Sequence, residues 1–378
     1  MLPKLTRSVA ATGLFLALAA ASSDAAAKKP AIGSGGVLAP IAASEASLNP
    51  GQPATNRGFP EGVAIADGRV YVAGPATFGT AGKGPSLVTV LHRGSGAQLA
   101  EIPIVGENTA AEHALSGIAV DGDENVYVLS TQLGVVRIER HCNKYTQESY
   151  APPLPDLPVC TDGGASPCSP TPVDLPPLPN EMTFDDDGNL YISDSMQATI
   201  FRVPAGGGAP EVWFQSPLLA GSLAAPMPFG ANGIKVSPDR DHLYVVETFD
   251  PADPTQGHLY RVPLVDDPQP EEMELVHTFQ GFAVPDSLVF GRSGRIYVSL
   301  AGTNQIAVLD DDGEQIGLLQ GPAGSDIPFD APATMVFDDA KKSLLVANHA
   351  IFGDPAHFAV LRVYVGERGD DLPAPEVD

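Results

Sequence analysis

Asn180–Ser195 reads NEMTFDDDGNLYISDS: an alternating apolar run, an Asp/Gly-rich turn, and a second apolar run centred on Tyr191. Alternation around such a turn specifies a β-hairpin. The same pattern returns at Glu61–Ala73 (EGVAIADGRVYVA), Ser116–Ser130 (SGIAVDGDENVYVLS), Asn232–Thr248 (NGIKVSPDRDHLYVVET), Asp286–Leu300 (DSLVFGRSGRIYVSL) and Ala333–His349 (ATMVFDDAKKSLLVANH). The starts of consecutive units lie 55, 64, 52, 54 and 47 residues apart. A period of roughly 50 residues with no helical signal between units predicts an all-β, six-bladed β-propeller with four-stranded antiparallel blades around a central channel.

The intervening stretches fill out the blades. Third strands are expected at Ser86–His92, Val135–Arg140, Thr199–Val203, His258–Leu264, Gln305–Asp310 and Phe358–Val365, and outer strands at Glu211–Gln215, Glu274–Phe279 and Gln315–Leu319. The last unit has no fourth strand of its own, and an open sheet edge is a liability. The apolar stretch Gly36–Ala42 is expected to complete it. These units leave little room for a second domain. The segment at about 141–179, rich in Pro and Cys, is expected to replace the outer strand of the second blade and to form a stiff flap beside the channel.

Composition narrows the partners. Of 378 residues, 21 are Lys or Arg and 46 Asp or Glu, a formal charge of −25. Phosphate contacts need clustered cations, so nucleic acid and anionic lipid are excluded as partner classes. At the start, Lys4 and Arg7 precede an apolar run from Val9 to Ala21 and a small-residue exit, Ala25-Ala26-Ala27. This reads as a signal peptide over 1–27, removed from a mature chain of 28–378. The run is short of the ~20 residues that span a bilayer, and no later stretch replaces it. A secreted or periplasmic monomer with no membrane insertion is expected. Export would allow one disulfide among Cys142, Cys160 and Cys168, with its pairing open.

The chemistry rests on register. The six units begin with Glu61, Ser116, Asn180, Asn232, Asp286 and Ala333. Innermost strands line a propeller's channel, so these positions converge at one face. Two carboxylates and two amides, Glu61, Asp286, Asn180 and Asn232, make a hard-cation site suited to Ca2+ completed by water, with other divalent cations as alternatives. Without a cation, Glu61 and Asp286 would repel, and one would hold its proton to raised pH. His113 and His349 stand where proton transfer near the axis is within reach. By contrast, Asp185-Asp186-Asp187-Gly188 and Asp310-Asp311-Asp312-Gly313 are hairpin turns; the first has Leu190 where a calcium loop needs Gly.

Pro60-Glu61-Gly62, Pro179-Asn180-Glu181, Ala231-Asn232-Gly233 and Pro285-Asp286-Ser287 resemble, in order, the signatures of the regucalcin/gluconolactonase family, and more distantly those of paraoxonase-like propellers. That likeness implies a six-bladed propeller with one axial divalent ion. Glu61, Asn232 and Asp286 would be ligands, Asn180 a further ligand or substrate contact, and Asp286 also the general base. The chain departs from the family's R-x-N-D at Leu178-Pro179-Asn180-Glu181, so the Arg expected to contact a sugar is missing.

The expected activity is metal-dependent hydrolysis of a small-molecule lactone or related ester. Ser116, Glu181, Phe229, His113 and His349 are candidate substrate contacts. The loops Gly74–Pro85, Ser216–Gly230, Phe249–Gly257 and Ala350–His357 offer apolar side chains above the channel. A non-catalytic binding propeller with a structural Ca2+ is the alternative. No G-x-S-x-G or H-E-x-x-H pattern supports serine or zinc hydrolysis.

Overall fold

The computed structural model describes residues 29–44, 55–142, 144–161, 164 and 166–377. The expected signal peptide lies outside the described residues. Strand β1 (Gly35–Pro40) precedes the first blade, β2 (Val63–Ala66), β3 (Arg69–Gly74), β4 (Leu87–His92) and β5 (Gln98–Pro103). Blade two is β6 (Leu115–Val120), β7 (Val126–Ser130), β8 (Gly134–His141) and β9 (Lys144–Ala151). Blade three is β10 (Pro179–Phe184), β11 (Leu190–Asp194), β12 (Thr199–Val203) and β13 (Glu211–Gln215). Blade four follows with β14 (Ala231–Val236), β15 (His242–Glu247), β16 (Gly257–Pro263) and β17 (Glu274–Phe279). Blade five comprises β18 (Pro285–Phe290), β19 (Ile296–Leu300), β20 (Gln305–Leu309) and β21 (Gln315–Leu319). Blade six holds β22 (Pro332–Asp338), β23 (Ser343–Asn348) and β24 (Ala359–Tyr364).

Each blade is a four-stranded antiparallel sheet, and β1 supplies the outer strand of the sixth, in the order β1-β24-β23-β22. Val37 pairs with Leu361, so the chain's start closes the ring as the sequence predicts. At the seam with blade one, the buried carboxylate of Asp338 accepts from Arg93 at 2.6 and 2.9 Å and from Arg362 at 3.1 Å. Six apolar clusters each span two neighbouring blades; Tyr71, Val88, Ile118 and Val128 join the first to the second. Burial of both faces explains the nearly continuous apolar inner strands, since water is excluded from either side.

One expectation is corrected. The second blade keeps its outer strand, Lys144–Ala151, which pairs with β8. Its sequence, KYTQESYA, is polar because an outer strand is only half covered, so it carries little alternation. The Pro-rich insertion therefore begins after Ala151. It docks on the β11–β12 turn of blade three, where the Gln197 side chain accepts from Leu157 N–H at 2.6 Å and donates to Pro155 O at 3.1 Å. The disulfide joins Cys160 to Cys168, and Cys142 is free and exposed.

The hairpin tyrosines have a recurring partner. Asp121 and Asp185 cap their turns and accept from Tyr127 and Tyr191 hydroxyls at 2.9 and 3.1 Å. These are turn carboxylates, as expected for the Asp185 run. In blade five Gly291 holds the equivalent position, and the C-terminal tail supplies the carboxylate instead. Glu367 accepts from Tyr297 Oη at 2.6 Å and from Ser293 N–H at 3.2 Å. A Cβ at Gly291 would stand 2.7 Å from Glu367 Oε2, so only glycine admits it.

From there the tail runs under the hairpin turns. Asp371 pairs with Arg292 at 2.7 Å, Pro375 O accepts from Gly122 N–H at 2.8 Å, and Val377 is buried beside Tyr127 and Phe184. Glu367→Ala should lower stability by about 1–3 kcal/mol, because Tyr297 and Ser293 lose their acceptor. It should also expose the tail to limited proteolysis. Adding Gly291→Asp should restore protection by rebuilding the arrangement of blades two and three. Unchanged melting and cleavage in the single variant would show that the tail is held by other contacts.

Candidate metal centre in the axial channel

The ligand positions sit on irregular strand starts. Pairing shifts between Pro179 and Met182, between Ala231 and Ile234, and between Pro285 and Leu288, so Asn180, Asn232 and Asp286 each fall on a bulge. The same shift occurs at Ser116 and Ala333. A bulge re-aims a side chain that the regular pleat would direct along the sheet face. Close approach of the inner strands then requires small neighbours. A Cβ at Gly233 would lie 2.5 Å from Asp286 O, and one at Gly117 would lie 2.8 Å from Glu181 Cα.

The amides are oriented by hydroxyls. Asn180 Nδ2 donates to Ser195 Oγ at 3.0 Å, and Ser195 donates to Ala231 O at 2.8 Å. One blade on, Asn232 Nδ2 donates to Thr248 Oγ1 at 3.0 Å, and Thr248 donates to Pro285 O at 3.2 Å. Each amide nitrogen is thereby taken up, which assigns the oxygen to the remaining face.

Asp286 completes the group. It is partly exposed but otherwise enclosed by protein. Burial, then the charges of Glu61 and Glu181, push its carboxyl well above the usual carboxylate range, against the pull of a hydrogen bond from Asn232. Glu61 is nearly buried, and His349 Nδ1 lies 2.7 Å from its Oε2. The two are in close contact without an aligned hydrogen bond to Oε2. His349 Nε2 is 2.9 Å from Ala76 O, which ties the ring to the loop after β3.

The structure therefore brings Glu61, Asn232, Asp286 and His349 together, with Asn180 one blade away in the same ring. Other candidates are engaged differently. Glu181 is buried and bound to Lys235, with Ile234 N–H and Ser287 Oγ on its second oxygen at 3.2 and 3.0 Å. It braces the channel wall. His113 is buried among loop groups: Nδ1 is 2.8 Å from Ala111 O, and Nε2 is 2.8 Å from Gly84 O and 3.0 Å from Asn56 Nδ2. Ser116 donates to Pro179 O at 3.0 Å, which ties the second inner strand to the third. Phe229 is half-buried, and its carbonyl accepts from Phe249 N–H at 3.2 Å. Phe249 is buried, whereas Phe78 and Phe352 are exposed on their loops.

Sequence reasoning missed Ser195, Thr248 and Lys235. A signal for the hydroxyls was present, because both repeats that begin with Asn end in Ser or Thr. His349 ends the sixth repeat at the same place and likewise reaches the next blade. Lys235 had no comparable signal, being an isolated cation in an apolar strand.

A cation fits this donor set on three counts. Among the described residues, Glu61, Asp286 and Glu181 face one ammonium, Lys235, which leaves a surplus of negative charge. The amide oxygens are turned away from their hydroxyl partners. The raised Asp286 carboxyl marks burial and, after it, repulsion from Glu61 and Glu181, both of which a divalent ion would offset.

Residues 176–349 match the family model described as SMP-30/Gluconolactonase/LRE-like region. No curated protein matches the chain by sequence. Among solved structures, regucalcin from Agrobacterium tumefaciens, described as a calcium-binding protein, aligns with a TM-score of 0.55 at 18% identity, covering 90% of this chain and 98% of that one. A gluconolactonase from Xanthomonas campestris gives 0.52 at 15% identity, with 89% and 99% covered. Luciferin-regenerating enzyme gives 0.55 at 12% identity, with 84% and 95% covered. At such identities these likenesses show the fold, and the family model adds the sequence match. The chain is thus a six-bladed propeller whose residues 176–349 match the SMP-30/gluconolactonase/LRE-like region.

Proposed function

We propose that this propeller is an exported, divalent-metal-dependent hydrolase of lactones or related esters, with Asp286 as general base. The observation that carries it is the convergence of Glu61, Asn232 and Asp286, with Asn180 beside them, on amides whose nitrogens are already bonded. The family match and the calcium binding of the regucalcin structure support Ca2+ as the ion. Ca2+ held there would polarise a substrate carbonyl and stabilise the charge that develops on its oxygen.

The chain's own residues supply the rest. Glu61, Asn180, Asn232 and Asp286 would hold the ion, and Ser195 and Thr248 keep the amides facing it. Asp286 is the base because burial and the neighbouring carboxylates push its carboxyl upward while it keeps contact with solvent. His349 positions Glu61 through its 2.7 Å approach. The exposed side chains of Phe78, Leu218, Leu223 and Phe352 lie on loops of the strand-start face and suit an ester with an apolar substituent. Export rests on the leader sequence and on the Cys160–Cys168 disulfide, a bond favoured in oxidising compartments.

One observation favours a second reading, a binding propeller with a structural ion. Leu178 stands where the family has Arg, and Glu181 is bound to Lys235, so neither offers a polar hand to substrate.

A panel of lactones and aryl esters, assayed with chelator and with added Ca2+, separates the two. Turnover should require the cation, and Asp286→Asn should reduce it by about 100-fold or more. A Ca2+-dependent rise in melting temperature with every substrate intact would support the binding propeller. Ser195→Ala and Thr248→Ala should each weaken Ca2+ about 10-fold in calorimetry by releasing an amide. Affinities equal to wild type would refute the orienting role. Because proton and cation compete for a carboxyl raised above its usual range, Ca2+ affinity should fall on acidification at higher pH than an ordinary Asp would cause. A profile falling only in the ordinary Asp range would remove Asp286 from the ligand set.

A further inference from the structure

A second cluster of donors lies in blade four, one strand outward from the axial ring. Glu247 ends β15, His258 is the second residue of β16 and pairs opposite it, and Asp250 lies in the loop between them. His258 Nδ1 is 2.9 Å from Glu247 Oε2 and 3.7 Å from Asp250 Oδ2. One donor atom from each residue falls within 4.8 Å of the others.

The arrangement is more than an ion pair. Glu247 is 0% exposed, and its Oε1 has no hydrogen-bond partner among the described residues. A buried carboxylate oxygen without a donor is costly. The one imidazole beside it is shared with a second carboxylate. Asp250 is held with its other oxygen towards His258, because Oδ1 accepts from Ala252 and Asp253 N–H at 2.8 and 2.7 Å. Burial pushes the Glu247 carboxyl up to about 7, despite the opposing pull of His258. The pocket thus presents two carboxylates and one imidazole with too few protons to satisfy them.

We propose that Glu247, Asp250 and His258 form a second metal site, selective for a zinc-class transition dication and distinct from the axial hard-cation site. The imidazole sets that choice. Ca2+ and Mg2+ take oxygen donors, whereas a mixed nitrogen and carboxylate set suits zinc and its neighbours. Three protein donors leave room for a water or a further ligand.

The position gives the site a structural consequence. Thr248, which orients Asn232, directly follows Glu247. Phe249 follows in turn and is bonded through its backbone to Phe229 and Ser222. A metal joining β15, β16 and the intervening loop would fix that wall of the channel mouth. Binding here does not depend on the hydrolase reading.

Co2+ is the probe, because its visible absorption intensifies on leaving the hexaaqua ion. Chelator-stripped protein, held in excess Ca2+ to occupy the axial site, should take up one equivalent of Co2+ with new visible bands, and Zn2+ should erase them. The bands should persist in the Glu61→Gln/Asp286→Asn double variant and disappear in His258→Gln. Asp250→Asn is a second variant on a partly exposed side chain, for use if His258→Gln proves misfolded by circular dichroism. It should weaken Co2+ by at least about 10-fold. A wild-type spectrum matching free Co2+, or bands unchanged in both folded variants, would overturn the site. Bands lost only in the axial double variant would place the ion in the channel and overturn it equally.

Discussion

Negative charge gathered on the propeller axis is the constraint around which the molecule is arranged. Glu61, Asp286 and Glu181 meet where protein replaces water on most sides, and Lys235 answers only one of them. Such a group cannot readily relax by spreading apart, because Asp286 and Glu181 sit on inner strands locked between two sheets and Glu61 leads directly into a third. It can shed charge by holding a proton or meet it with a cation. The amides of Asn180 and Asn232 and the hydroxyls behind them have a use only in the second case. A ring built merely to stay neutral would need neither.

The rest of the fold makes this concentration tolerable. Six apolar clusters, one at each inter-blade interface, hold the inner strands at fixed spacing. Bulges turn the donors inward, and glycines let neighbouring strands close in behind them. A site supported in this way is organised before any ligand arrives, so little reorganisation is left for binding. The loops above are freer to vary, and this chain has used that freedom for exposed aromatics and the Pro-rich insertion.

Much of this was legible because it is local and periodic. A Tyr-centred hairpin repeated six times specifies the blades, and the common register of their first residues specifies the ring. The orphaned edge of the last unit pointed to Gly36–Ala42, and β1 is there. What escaped was non-local or aperiodic. Strand β9 is polar because its outer face meets solvent. Lys235 finds Glu181 across 54 residues, and no pattern in the chain announces that meeting. The donors of blade four hid for a related reason: Glu247 and His258 are 11 apart in sequence and adjacent only after β15 and β16 pair. The mutual repulsion expected of Glu61 and Asp286 appears as the raised Asp286 carboxyl, with Glu181 as an added contributor.

The substitution of Glu367 for a missing turn carboxylate has a temporal side. Blade five cannot finish its turn until a residue 70 positions downstream of Tyr297 has been synthesised, and β1, made first, finds its partner only once β24 exists. Both closures are contacts of high sequence separation, which form late and slowly. A fusion placed at the carboxyl end would meet the hairpin-turn face, under the ring, while leaving the donor face clear.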